Sequence, residues 1–285
     1  MQVPQSPITP AESRLGLYTN LPIDEHHGGV GISKSGLDDI DQSPLHYFAW
    51  HLDPRRPVRE AMPAQLVGTL AHCALLEPAE FDKRYAVGPD VSRATKEWKQ
   101  FAERQAGREC IKPDQYSAAM RQAEAMRALP QVRDALEKGQ PEVSAYWTDA
   151  ETGELCRCRP DWVSPVGERQ AIPLDVKTCG DASPEDFKRQ LARMRYHVQN
   201  AFYVDGYESA SGVEALGLVF VAVEADWPHA ASTVMLDDLG IEQGRRDYRR
   251  NLNRYAECRK TNVWPGYSNS IELVTLPFWA FDKDR

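Results

Sequence analysis

Two short stretches near the middle of this 285-residue chain alternate apolar and charged side chains with a period of two, and they constrain the fold more than any other feature. In Leu155-Cys156-Arg157-Cys158-Arg159-Pro160-Asp161-Trp162, positions 157, 159 and 161 share one face of an extended chain, and Cys156, Cys158 and Trp162 share the other. In Ile172-Pro173-Leu174-Asp175-Val176-Lys177-Thr178, the apolar Ile172, Leu174 and Val176 point one way while Asp175 and Lys177 point together the other way. A slip of one residue would exchange the two faces, so the register is strongly specified. The pattern predicts half-buried strands over about 154–163 and 171–178, each presenting carboxylate and cation on one side. A hairpin with a solvated charged edge is the plainer reading of the same alternation.

The flanking sequence supplies helices to cover such a sheet. Ser33 and Ser35 read as caps opening a helix through Leu37 and Ile40 towards Tyr47. A second helix is predicted over 64–76, with Leu66, Leu70, Leu75 and Leu76 on its buried side. Others are predicted near 92–106 and over 114–138, where Met120, Ala123, Met126 and Leu129 are spaced for packing. A strand near 142–148 leads through the turn 149–153 into the alternating pair. A helix over 184–209, an apolar strand over 215–223, an arginine-rich helix over 236–260 and an irregular tail with Trp264, Trp279 and Phe281 follow. Residues 1–28, rich in Pro, Ser, Gly and His, are expected to form an irregular arm. Residues 29–285 are expected to form a single α/β domain with a helical N-terminal elaboration.

Composition narrows the function classes. No apolar run approaches the roughly 20 residues that span a bilayer, and Met1–Gln5 has neither the basic start nor the apolar core of a signal peptide. The six cysteines are scattered without a C-x₂-C pair, which argues against a zinc or iron–sulfur framework and for a reducing, cytoplasmic setting. A net charge of −8 argues against a protein that coats nucleic acid non-specifically. It leaves room for a DNA enzyme with a local basic groove. The arginine-dense stretch 244–254 is either a solvated helix face or a DNA or subunit contact.

The charged faces carry chemistry. Asp161 after Pro160, together with Asp175 and Lys177, is a set suited to cation-assisted hydrolysis of a phosphodiester. Carboxylates bind hard divalent cations such as Mg²⁺, which lower the pKa of a bound water and offset charge developing on phosphorus. Lysine adds a compact charge with three rotatable donors. His72, on the predicted helix 64–76, could join such a site, Mn²⁺ being tolerant of imidazole; a satisfied core histidine is the alternative. Gly68 lies one turn earlier and permits close approach. Lys188, Arg195, Gln199 and Tyr203 fall in one stripe of the predicted helix 184–209 and could grip phosphate, or Tyr203 could simply be core. Glu142 could complete the shell of a second cation, or face solvent at the start of a strand.

The order Gly68-x-x-x-His72, Pro160-Asp161, Asp175-x-Lys177, Gln199-x-x-x-Tyr203 resembles that of the RecB-like PD-(D/E)xK nucleases. Longer runs, over 31–40, 68–78, 156–161 and Tyr196-His-Val-Gln-Asn-Ala-Phe-Tyr-Val-Asp-Gly-Tyr207, resemble the nuclease domains of the RecE-type exonuclease family. That resemblance covers about residues 30 to 280. It implies a restriction-endonuclease-like core, a central mixed sheet flanked by helices. It implies an Mg²⁺-dependent exodeoxyribonuclease, with Mn²⁺ substituting, that degrades one strand of duplex DNA 5′→3′ to 5′-mononucleotides. The 3′ single-stranded tail left behind would serve a RecT-like annealing recombinase in phage or prophage recombination. A ring-shaped homo-oligomer, trimer or tetramer, is implied as well.

By the same resemblance His72, Asp161, Asp175 and the Val176 carbonyl ligate the metal, Lys177 positions the attacking water, and Gln199 and Tyr203 orient substrate. Glu142 matches an acidic position of the wider family. Some relatives carry a cysteine set for an iron–sulfur cluster; here only Cys258 lies near the C-terminus, so no cluster is expected. Two other readings stand beside this one: an endonuclease of the same fold, and a non-catalytic DNA-end-binding partner of a recombinase. The full Asp161, Asp175 and Lys177 set speaks against the second, because a binding module has no use for carboxylates facing a polyanion.

Overall fold

The computed structural model describes residues 14–19, 21–57, 63–105 and 107–281. β1 (Gly16–Tyr18) and α1 (Ile23–Gly28) are followed by α2 (Lys34–Gln42), α3 (Pro44–Tyr47) and one π-helical turn (Phe48–Leu52). Next come α4 (Pro63–Leu76), α5 (Pro78–Arg84), β2 (Tyr85–Val87), α6 (Lys96–Arg104), β3 (Glu109–Ile111), α7 (Pro113–Ala128) and α8 (Pro130–Leu136). The strands β4 (Gln140–Pro141), β5 (Ser144–Thr148), β6 (Leu155–Cys158), β7 (Trp162–Val166) and β8 (Gln170–Cys179) precede α9 (Pro184–Arg193) and α10 (Tyr196–Ser211). β9 (Glu214–Ala215), β10 (Val219–Glu224), β11 (Ala231–Val234) and α11 (Asp238–Thr261) complete the regular elements before a 3₁₀ turn at Phe278–Ala280.

Local chemistry explains most boundaries. Ser33, Thr95, Ser183 and Asp237 accept backbone N–H groups at the starts of α2, α6, α9 and α11, satisfying donors that a helix start leaves orphaned. Proline opens α3, α5, α7, α8 and α9, where its missing N–H costs nothing. For that reason the helix expected over 114–138 divides at Leu129-Pro130, and the one expected to run towards Tyr47 divides at Ser43-Pro44. Part of the stretch expected to be an irregular arm is regular. β1 pairs antiparallel with β5, and α1 follows it; residues 1–13 lie outside the described residues.

The main sheet has the order β11-β10-β8-β7-β4, with β9 also on β8; β8 and β10 run parallel, and β7 is antiparallel to β8. A smaller sheet, β1-β5-β6, stands beside it. One strand was expected over 154–163. The chain instead leaves β6 at Cys158, crosses through Arg159-Pro160-Asp161 and enters the other sheet as β7. Proline cannot donate to a ladder, so a change of sheets there loses no hydrogen bond.

The alternation in β8 works as read: Leu174 and Val176 join a core with Leu70, Met126 and Val221 from α4, α7 and β10. Phe187, Leu191, Val204 and Phe220 form a second core beneath α9 and α10. A third joins α2, β5, β6, α10 and α11 around Ile40, Trp147, Phe202 and Leu252. No helix among the described residues is long and apolar enough to cross a membrane.

α10 and α11 cross closely at Gly244, where an added Cβ would lie 2.0 Å from the His197 carbonyl oxygen. Backbone cannot rotate out of the way as a side chain can. Gly244→Ala is therefore expected to cost about 3 kcal/mol and to lower the melting temperature by roughly 6–12 °C, measured by thermal denaturation. A shift of less than a degree or two would mean the helices separate freely.

Candidate active site

β7 and β8 set the first pair of carboxylates. The Asp161 N–H donates to the Leu174 carbonyl at 3.1 Å, which fixes its position just ahead of β7. Asp161 Oδ2 accepts the Val176 N–H at 2.6 Å and lies 2.5 Å from His72 Nε2 on α4. Asp175 is buried at 2 % exposure. Its Oδ1 accepts from Gln199 Nε2 of α10 at 2.6 Å, and it pairs with Lys177. The Lys177 ammonium also sits 4.7 Å from the Tyr196 ring centroid, an attraction to the ring face.

Glu142 comes from the link between β4 and β5. Its backbone is left-handed, with φ at 54°, a conformation costing a bulky residue roughly 1–3 kcal/mol. Contacts on three sides hold it there. Its N–H donates to the Asp161 carbonyl at 2.9 Å, Oε1 lies 3.4 Å from His72 Nδ1, and Oε2 accepts from Arg159 Nε at 2.5 Å. His72, Glu142 and Asp161 each place a ligand atom within 4.8 Å of the others.

The titration of the group follows from this crowding. Burial disfavours charge on His72, but Asp161 and then Glu142 outweigh it and raise the imidazole to about 10. Asp175 is pushed up to about 6, by burial first and by the Asp161 charge second, against the pull of Lys177. Burial also works against Lys177, yet Asp175 and Asp161 carry its pKa above the ordinary value. Glu142 moves the other way: burial would raise it, but His72 and Arg159 hold it below the usual carboxylate range. The result is an oxygen-rich cluster whose acids are balanced by a protonated imidazole and an ammonium. Such a donor set fits a hard divalent cation, with one imidazole tolerated.

These side chains open into one cavity of about 730 Å³, also lined by Gln199, Tyr203, Gly68, Ser33, Lys34 and Arg159. Not every expected residue arrives there. Lys188 lies on α9, exposed and paired with Glu185 at 2.6 Å. Arg195, left-handed at φ 54° and ψ 38°, ends the run of helix, and its guanidinium binds Asp38 at 3.0 Å and Asp41 at 2.8 Å on α2. The continuous helix expected over 184–209 is thus two helices, and the four-residue stripe reduces to Gln199 and Tyr203 on α10. Lys188→Ala is expected to lower stability by at most ~1 kcal/mol, since an exposed pair is worth no more, measured by thermal denaturation; a larger loss would mean that Lys188 makes a further contact in the folded chain.

Val176 donates its N–H to Asp161 in the site; the carbonyl role implied by the resemblance is a separate matter. Asp175 shares the cavity but is not one of the tight trio, its carboxylate being held by Gln199 and Lys177, while Glu142 belongs to the trio. Arg159, Lys34 and Tyr196 were not singled out from sequence. For Arg159 the signal was present, as it shares the Asp161 face of the alternating stretch. Three arginines of α11 are engaged within the chain: Arg245 with Asp205, Arg249 with Asp149, and Arg250 with Asp41 and Asp247. They tie the helix to its neighbours.

A family model described as a PDDEXK-like domain of unknown function (DUF3799) matches residues 33–277. Among solved structures, one from Eubacterium rectale, provisionally described as an exonuclease, has a TM-score of 0.58 at 14% identity, covering 91% of this chain and 94% of that one. At such identity the likeness speaks for the fold alone. The alkaline exonuclease LHK-Exo from Laribacter hongkongensis is 14% identical, covering 67% of this chain and 95% of that one, and its TM-score of 0.26 is too low to carry an argument. A search of curated proteins gives no match.

Proposed function

The chain belongs to the PDDEXK-like domains of the DUF3799 family and has their mixed α/β core, and from that premise we propose that it is a divalent-metal-dependent nuclease acting on the ends of duplex DNA. The observation that carries the reading is the convergence of His72, Glu142, Asp161, Asp175 and Lys177, from separate elements, on one open cavity. The finer reading is a RecE-type exonuclease working 5′→3′ and leaving 3′ tails for a RecT-like annealing recombinase. It rests on the motif runs, above all residues 196–207.

His72, Glu142 and Asp161 would hold the cation, with Asp175 beside them; Mg²⁺ is the proposed ion and Mn²⁺ a substitute. Once bound, it would supply charge neutralisation at the phosphate and a lower pKa for water. The chain's own groups do the rest. Lys177, fixed between Asp175 and the Tyr196 ring, offers a compact cation to a phosphate oxygen and to charge developing on it. Gln199 holds the Asp175 carboxylate in one orientation, and Arg159 keeps Glu142 anionic. Burial pushes the Tyr203 phenol well above its ordinary value, so it stays a hydrogen-bond donor over the working pH range.

The test is a time course on linear duplex labelled at the 5′ or the 3′ end, with and without Mg²⁺, alongside closed circular plasmid. Metal-dependent release of 5′-labelled mononucleotide with the plasmid intact is expected. Cutting of the closed circle would make the protein an endonuclease. Retention of both labels, with binding to ends, would make it a non-catalytic partner, and loss of the 3′ label first would reverse the polarity.

A further inference from the structure

The cavity wall holds a second ammonium besides that of Lys177. Lys34 is the first residue of α2, placed there by the Ser33 cap, and its side chain lines the same cavity as Lys177. Its Nζ donates to the Met194 carbonyl at 3.0 Å, at the end of α9, and pairs with Asp38 at 2.7 Å. Those contacts use two of the three donors of an ammonium, and one remains for the cavity.

Tyr196 brings the two lysines together. The left-handed turn at Arg195 opens α10 on this tyrosine, and Phe220 stacks against its ring at 5.6 Å and 24°. Lys177 Nζ lies 4.7 Å and Lys34 Nζ 5.8 Å from the centroid of that ring. Each ammonium is attracted to the ring face, but gathering like charges at one place works against both. Burial first, then Lys177 and Arg195, hold the Lys34 pKa below the ordinary lysine value, against the pull of Asp38. That one carboxylate is divided between Lys34 and Arg195, which leaves this wall short of negative charge. A strand of phosphates supplies it.

We propose that Lys34 is a substrate-contacting residue whose ammonium holds the phosphate next to the scissile one on the strand being cut, while Lys177 serves the scissile phosphate itself. The site then takes two consecutive phosphates of one strand across a single aromatic ring. This assignment rests on the nuclease reading, which supplies both the substrate and the role of Lys177. A compact, rotatable point charge suits such a contact, because it grips a phosphate without dictating its angle. The neighbouring phosphate does not react, so Lys34 holds it equally well before and during the chemical step. Its contribution therefore falls on KM rather than kcat.

Two measurements on the full chain test this. One is steady-state digestion of a short linear duplex with Mg²⁺; the other is metal-free binding of a single-stranded oligonucleotide over a range of salt. Lys34→Met keeps an unbranched side chain of similar length and leaves Asp38 its Arg195 partner. It is expected to raise KM about tenfold or more and to make the slope of log affinity against log salt shallower by about 0.7. Lys34→Arg is expected to return both to near the parent values. If Lys34→Met fails to fold, Lys34→Gln takes its place, since an amide can still donate to the Met194 carbonyl. A salt slope equal to the parent's overturns the assignment, and so does a loss that falls on kcat, the mark of a mere tie between α2 and the end of α9. A parent protein that digests no DNA sinks the nuclease reading instead, and the salt slope alone then decides whether Lys34 meets phosphate.

Discussion

Lys177→Met is expected to lower turnover on linear duplex DNA by on the order of 10³-fold while the protein still folds. Methionine keeps an unbranched side chain of similar length and removes the charge that sits over the Tyr196 ring. Single preorganised donors aimed at developing charge are worth about 10²–10³ in rate. A second effect adds to this. Without the ammonium, Asp175 loses the partner that holds it down, and burial together with Asp161 already places it at about 6. It then takes up a proton near neutral pH, leaving the cluster one carboxylate poorer. That same proton protects the fold, because a neutral buried acid costs far less than an unpaired charge. Asp161→Ala should be equally inactive, since it removes the oxygen shared by His72 and the Val176 N–H. Near-normal digestion by Lys177→Met would show that the chemistry lies elsewhere.

Metal binding is expected to expel a proton from His72. In the metal-free protein the imidazole, at about 10, is protonated at neutral pH and supplies the positive charge that the carboxylates require. A cation that takes a ring nitrogen needs that nitrogen deprotonated. Apparent Mn²⁺ affinity should therefore rise about tenfold per pH unit from pH 7 towards 10 and level off above it. Calorimetry at pH 8 in two buffers of different ionisation enthalpy should count about one proton released per ion. His72→Gln should bind with no proton release and no slope. A parent protein that binds Mn²⁺ with a flat profile between pH 7 and 9 would remove His72 from the ligand set.

Legibility varied with the range of the interactions involved. The β8 alternation placed Leu174 and Val176 in the core and Asp175 and Lys177 together on the other face, because side-chain direction in a strand follows from position alone. The helix over 64–76 carried His72 to Asp161 for a comparable reason: its leucines dictate which side faces the sheet. The spacing of Lys188 and Arg195 misled, since it assumed an unbroken helix. Arg195 turns left-handed while its guanidinium is held by Asp38 and Asp41, more than 150 positions earlier, and no local pattern encodes that.

From the order of its side chains alone, this protein could be assigned a half-buried strand with its acid and amine on one side, a Pro-Asp step nearby and helices to cover them. Those features depend on backbone geometry and on the burial of apolar area, both of which repeat with a short period. Only the folded chain decided that the Pro-Asp step is a crossing between two sheets, that Glu142 joins His72 and Asp161 in one tight trio, and that Arg245, Arg249 and Arg250 of α11 are occupied. Each of these turns on ion pairs and backbone conformations set by partners distant in the chain, so they exist only once the sheets and helices have closed around them.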